Sequence, residues 1–169
     1  MRKLRLLTPG AIYHVTSRLN NKFLGLKHRP MKILFMETIR QAHDLFSFEL
    51  LNFTILDNHF HFLIKPTGDT CLSDLIGWIK GVFAIRWNKA HNSSGHVWGE
   101  RFYSRIMKDD EELEAVFAYI VDNPVKAKKV KKAGDWEYSG LWQYMNGIRT
   151  LLSEVGERTE EMYRVWMRC

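Results

Sequence analysis

Glu49-Leu50-Leu51-Asn52-Phe53-Thr54-Ile55-Leu56-Asp57-Asn58-His59-Phe60-His61-Phe62-Leu63-Ile64-Lys65 holds two runs of strand-forming residues around an Asp-Asn pair. Asx residues tolerate the backbone angles of a tight hairpin, so the stretch reads as strands over 49–56 and 59–65 joined by Asp57-Asn58. The strand period of two then divides the second run. Phe60, Phe62 and Ile64 go to one face, suited to a core, and His59 and His61 go to the other, where two imidazoles stand side by side.

Upstream, Ala11 to Leu19 alternates Ile12, His14, Thr16 with Tyr13, Val15, Ser17 and reads as a first strand, closed by Asn20-Asn21. Residues from Pro30 to Phe46 carry a helical stripe of Ile33, Leu34, Met36 and Leu45, with Pro30 fitted to a first turn. Downstream, Leu72, Leu75, Ile76, Ile79 and Phe83 lie on one face of a second helix ending near His91. His96 to Met107 is rich in aromatics and β-formers and reads as a returning strand. Asp109-Asp110-Glu111-Glu112 puts negative charge where a helix N-terminus favours it, and Leu113, Val116, Phe117 and Ile120 form the stripe of a third helix. Asn123-Pro124 is expected to end it, because the residue before proline disfavours helix. The order β-α-β-β-α-β-α gives an α+β chain on a ferredoxin-like antiparallel sheet. The domain is expected over 1–150, with a C-terminal tail over 151–169 in which Met162, Val165 and Trp166 form one helix face.

At 169 residues the chain fits one core, and 46% hydrophobic with 26% charged residues excludes a disordered class. A net charge of +6 with 13% aromatics favours polyanionic partners. No apolar run approaches the roughly 20 residues needed to span a bilayer. The stretch Met1 to Gly10 breaks at Pro9-Gly10 before a signal-peptide core forms, and only Cys71 and Cys169 are present, without a CxxC pair. These features read as a cytoplasmic protein with no membrane partner.

A His-x-His pair on one strand face can hold a divalent cation, or be two strand histidines with their own hydrogen bonds. Tyr119 and Asn123, at i and i+4, share a helix side beside the apolar stripe, where a phenol and an amide oxygen could reach the sheet surface. Tyr119 could equally be a boundary residue and Asn123 a cap. Lys126, Lys128, Lys129, Lys131 and Lys132 follow that helix, and Arg101 and Arg105 stand near Trp98 and Tyr103. The lysines suit phosphate contacts or form a solvated face, and the arginine and aromatic set suits backbone neutralisation with base stacking on single strands or belongs to the sheet core.

Together these pieces resemble the single-tyrosine HUH transposases, most closely the REP-associated tyrosine transposase branch. The resemblance runs through Pro9-Gly10-Ala11-Ile12-Tyr13-His14-Val15, Leu56 to Ile64, and Val97-Trp98-Gly99-Glu100-Arg101-Phe102-Tyr103-Ser104-Arg105. It continues through Tyr119-Ile120-Val121-Asp122-Asn123-Pro124-Val125-Lys126-Ala127 and Trp136-Glu137-Tyr138-Ser139-Gly140. Asn123, where insertion-sequence relatives commonly carry Gln, draws the comparison toward the REP-associated branch. The resemblance implies His59, His61 and Asn123 as ligands of Mg²⁺ or Mn²⁺, although two imidazoles also suit zinc. It implies Tyr119 as nucleophile, a 5′-phosphotyrosine intermediate, and single-stranded DNA, often beside a hairpin, as substrate. Relatives include both monomers and homodimers, and the residues favour neither. The alternative is a non-catalytic hairpin- or single-strand-binding protein on the same fold.

Overall fold

The computed structural model describes Thr8, residues 10–154 and residues 156–168. Pro9, the stretch 1–7 of the N-terminal reading and Cys169 lie outside the described residues. Tyr13–Arg18 forms β1, Arg29–Ala42 α1, Phe48–Ile55 β2, His59–Pro66 β3 and Leu72–Ala90 α2. Tyr103–Ile106 forms β4, Asp110–Lys126 α3, Gly140–Met145 α4 and Glu157–Met167 α5. The strands make one antiparallel sheet in the order β2-β3-β1-β4, the split βαβ arrangement expected from the element order.

Alternation along β3 builds the two layers. Phe60, Phe62 and Ile64 are fully buried. The ring of Phe35 from α1 packs 5.2 Å from Phe60 and 5.0 Å from Phe83 of α2. Each such side chain removed from water stabilises the fold by about 1.5–3 kcal/mol, so this face is the anchor of the sheet. The opposite face takes α3, which buries Leu113, Val116, Phe117, Ile120 and Val121. A bulge between Leu50 and Asn52 lets β2 serve both layers: Leu50 pairs with Ile64 and Asn52 with Leu63.

Four expectations are corrected. α1 stops at Ala42 instead of Phe46, and Leu45, expected on its stripe, is exposed. Only Tyr103–Ile106 of the stretch 96–107 is strand. Trp98 leaves the sheet to pack 5.6 Å from Phe60, donating Nε1–H to Lys80 O at 2.8 Å. Burying that indole with its donor satisfied outweighs continued pairing, and one bridge, Leu19 to Trp98, remains. α3 continues through Pro124 to Lys126. The proline forfeits one bond in the last turn, while Ala127 N–H to Asn123 O and Lys129 N–H to Pro124 O, both 2.9 Å, close the end. In α5 the buried face is Thr159, Met162 and Tyr163, and Val165 is exposed.

The segment after α3 covers the outer edge of β2. Ile55 N–H bonds Tyr138 O at 2.9 Å and Trp136 Nε1–H bonds Ile55 O at 3.1 Å. Leu50 N–H donates to Ser153 Oγ at 2.9 Å, and the Tyr163 hydroxyl donates to Leu51 O at 2.8 Å. An edge strand left with free backbone groups invites pairing with another chain, and this one is covered. Residues Leu151 and Leu152 are buried with it.

Candidate active site

β3 sets His59 and His61 on the α3 side, paired across β1 with Arg18 and Thr16. α3 is aimed by its start. Asp109 Oδ1 accepts from Glu112 N–H at 2.8 Å, and Glu112 Oε2 accepts from Lys108 N–H at 2.8 Å, a reciprocal cap. Glu112 also pairs with Arg105 of β4 at 2.5 Å, tying the helix to the sheet. Further along the helix, Tyr119 and Asn123 arrive one turn apart over β3.

The Tyr119 ring stands edge-on to His61, centroids 5.3 Å apart at 88°, and is 42% exposed. Asn123 is buried, with its amide nitrogen 3.5 Å from His61 Nε2. His59 and His61 lie 5.1 Å apart, ring centre to ring centre. His59 uses Nδ1 toward Asn58 Oδ1 at 2.7 Å, and His61 uses Nδ1 toward His14 Nε2 at 3.0 Å. Nε2 is the nitrogen left over in His59, and in His61 it is the one that faces the Asn123 amide. A cleft of about 740 Å³ holds His59, His61 and Tyr119, and its other walls include Arg18, Lys22, Arg101 and Tyr103.

Burial keeps the imidazoles uncharged. It pushes His59 down to about 4, helped by Arg18, and His14 down to about 4, helped by Arg105. His61, the most buried, goes to about 2, with His59, His14 and Arg18 adding to the effect. Neutral imidazoles are the form that binds metal, and burial leaves the pair in that form at neutral pH. Among the described residues no three His, Cys, Asp or Glu side chains are placed together to hold a metal ion. A third protein donor would therefore be an amide, and a turn of Asn123 about its last bond presents Oδ1 where Nδ2 now stands.

Other residues singled out from the sequence are dispersed. Arg101 lines the cleft, and Arg105 lies on the same sheet face but is paired. The Lys126 ammonium sits 5.6 Å from the Tyr119 ring centre and 3.0 Å from Asp122 Oδ2. Lys129 is bound to Asp57, which also holds the buried Lys32 at 2.9 Å. Burial alone would raise the Asp57 carboxyl, but the hydrogen bonds from Lys129 and Lys32 together hold it below the usual carboxylate range. This ion cluster pins the turn that leads into His59. Lys128, Lys131 and Lys132 are exposed and line no part of the cleft. His14, which meets His61, and Arg18 and Lys22, which line the cleft, do not stand out in the sequence. Strand parity put His14 on a face with Thr16, but which residues lie opposite it depends on a pairing that the sequence does not display.

A family model described as IS200-like transposase matches residues 8–123. The chain belongs to the IS200-like transposase family. Among curated relatives it is 28% identical over 117 residues to a REP-associated tyrosine transposase of Haemophilus influenzae, covering 63% of this chain and 66% of that one. It is 25% identical over 137 residues to the REP-associated tyrosine transposase of Escherichia coli K12, covering 77% and 76%. The chain thus spans about two thirds to three quarters of these relatives. In fold it is similar to a REP-associated tyrosine transposase solved bound to a REP hairpin, with a TM-score of 0.72, 22% identity, and 92% and 93% of the two chains covered. Among the described residues no helix is long and apolar enough to cross a membrane.

Proposed function

We propose that this member of the family cleaves and rejoins single-stranded DNA beside a hairpin, with Tyr119 as nucleophile and His59, His61 and Asn123 as ligands of a divalent cation. The observation that carries the reading is the edge-on approach of Tyr119 to His61 at 5.3 Å in a cleft shared with His59, while the buried Asn123 stands 3.5 Å from His61. Mg²⁺ or Mn²⁺ held there would supply Lewis-acid polarisation of the scissile phosphate and stabilise charge on its oxygens.

The chain's own residues do the rest. α3, fixed on the sheet by its apolar face, presents the half-exposed phenol to the cleft. Arg18, Lys22 and Arg101 line the approach and can neutralise phosphates, while the exposed Tyr103 offers a ring on which a base can stack. The Tyr119 oxygen, its proton released, bonds to phosphorus as the bond from phosphorus to the 3′ oxygen breaks. The departing oxygen takes a proton and leaves as a 3′ hydroxyl, with the 5′ phosphate on Tyr119. A second 3′ hydroxyl reverses the step, freeing Tyr119 and restoring a phosphodiester without a nucleotide cofactor. The hairpin is carried over from the similar protein solved with one.

The test incubates labelled single-stranded hairpin oligonucleotides with the protein and Mn²⁺, Mg²⁺ or a chelator. A protein–DNA adduct that survives denaturation is expected with metal, absent with chelator and absent in Tyr119→Phe. Salt-sensitive binding without any adduct across a broad hairpin pool would replace the reading with non-catalytic DNA binding.

A further inference from the structure

We propose that His14 is a positioning residue. It accepts a hydrogen bond from Nδ1–H of His61 and thereby holds that ring in the tautomer whose Nε2 lone pair faces Asn123 and the cleft. The inference rests on the proposed role of His61 as a ligand and adds a residue that touches neither phosphate nor cation.

The geometry follows from the register of β1 against β3. His14 pairs with Leu63 and Thr16 with His61, so His14 and His61 are diagonal neighbours on one face. Diagonal residues of an antiparallel pair stand about 7–8 Å apart at the backbone, a gap that two imidazoles close end to end. Here they meet at 3.0 Å, Nε2 of His14 to Nδ1 of His61, with the rings inclined by 23°. A neutral imidazole carries one hydrogen, so the shared contact has two forms. In one, His14 donates, the Nδ1 lone pair of His61 is consumed, and Nε2 of His61 bears the hydrogen and cannot ligate. In the other, His61 donates from Nδ1, His14 carries its own hydrogen on Nδ1, and Nε2 of His61 is bare. The second form also matches the Asn123 amide group, whose nitrogen lies 3.5 Å from that Nε2.

His59 is treated likewise by a different partner. Asn58 Oδ1 can only accept, so at 2.7 Å it fixes the hydrogen of His59 on Nδ1. Each imidazole of the pair thus has its hydrogen held on Nδ1 and its lone pair on Nε2, one through its sequence neighbour and one through a strand 47 residues away. Partners of this kind orient ligating histidines and raise their basicity, and their loss typically costs about 10–100-fold in metal affinity.

The experiment compares wild type with His14→Leu, His14→Gln and His14→Glu in two measurements, after circular dichroism has shown each variant folded. One is Mn²⁺ affinity by electron paramagnetic resonance. The other is the tautomer of His61 in metal-free protein, read from long-range ¹⁵N–¹H correlations. Expected are Nδ1-protonated His61 in wild type, a mixture in His14→Leu with about 10–100-fold weaker Mn²⁺ binding, and recovery of both in His14→Glu, whose carboxylate can only accept. His14→Gln, able to accept through its amide oxygen, should fall between. Unchanged tautomer and affinity in His14→Leu would overturn the inference, including the case where DNA cleavage alone is lost and His14 acts directly on Tyr119. If wild type binds no Mn²⁺, or His61→Ala binds it as well as wild type, the ligand reading fails. The metal-free tautomer measurement then judges the His14 contact by itself.

Discussion

Three imidazoles crowd one face of the sheet, and none of them carries charge at neutral pH. An isolated histidine takes up a proton near pH 6.5. Burial delays that step to about 4 in His14 and His59 and to about 2 in His61, and it lowers His43 in the same direction. Between these values the unfolded chain holds more protons than the folded one, so stability rises with pH. The contribution is complete above about pH 6.5 and is lost as pH falls through the folded values. The unfolding temperature should therefore drop from pH 7 toward pH 4, less steeply in His61→Gln, as followed by circular dichroism. An equally steep profile in the two proteins would contradict a proton withheld from His61. At this scale the sequence was informative where spacing along one element is enough. A period of two paired His59 with His61, and i, i+4 paired Tyr119 with Asn123. It was silent on His14, whose partner is set by the register between two strands.

Among elements, the turn between β2 and β3 matters most for the site, because it launches the strand that carries both imidazoles. Asp57 in that turn takes Lys32 on one oxygen and Lys129 on the other, and Lys32 also donates to Leu26 O and Lys27 O at 2.6 and 3.0 Å. The Lys32 and Asp57 side chains are 2% and 9% exposed. Removing Asp57 strands a buried ammonium and should cost about 3–5 kcal/mol, whereas Lys32→Met leaves Asp57 still paired with Lys129 and should cost markedly less. Urea unfolding of Asp57→Ala and Lys32→Met measures both, and equal losses would contradict this account. The turn itself was readable from Asp57-Asn58. The cluster was not, since a lysine on a helix reads as solvated, and its acid lies 25 residues along the chain. The same limit applies to α3. Pro124 signals a helix end locally, and the closing bonds beyond it and the burial of its ring decide otherwise.

Across the whole molecule, the layered sheet was legible from element order, while the fate of about the last fifth was not. Trp136, Tyr138, Ser153 and Tyr163 look like parts of an aromatic run and a tail, yet they hydrogen-bond the outer edge of β2. Gly140 is a point of close approach to β2. A methyl group there would fall 2.5 Å from Asn52 Oδ1 and 2.6 Å from the Tyr163 hydroxyl. Gly140→Ala should cost about 1–3 kcal/mol, the range of an overpacked site. It should also speed amide exchange along β2 more than along β4, which hydrogen–deuterium exchange would resolve. Uniform acceleration would mean that the contact is not local to that edge.

The covering of β2 also sets a clock during synthesis. Leu51 and the hydroxyl that meets its carbonyl are separated by 112 residues. At about 5–20 residues per second, the ribosome takes roughly 6–22 s to supply the second after the first. For that interval the nascent hairpin, with its row of phenylalanines, offers an unfinished border to any neighbouring chain, so yield in the cell should depend on chaperone capacity more than the stability of the finished fold would suggest.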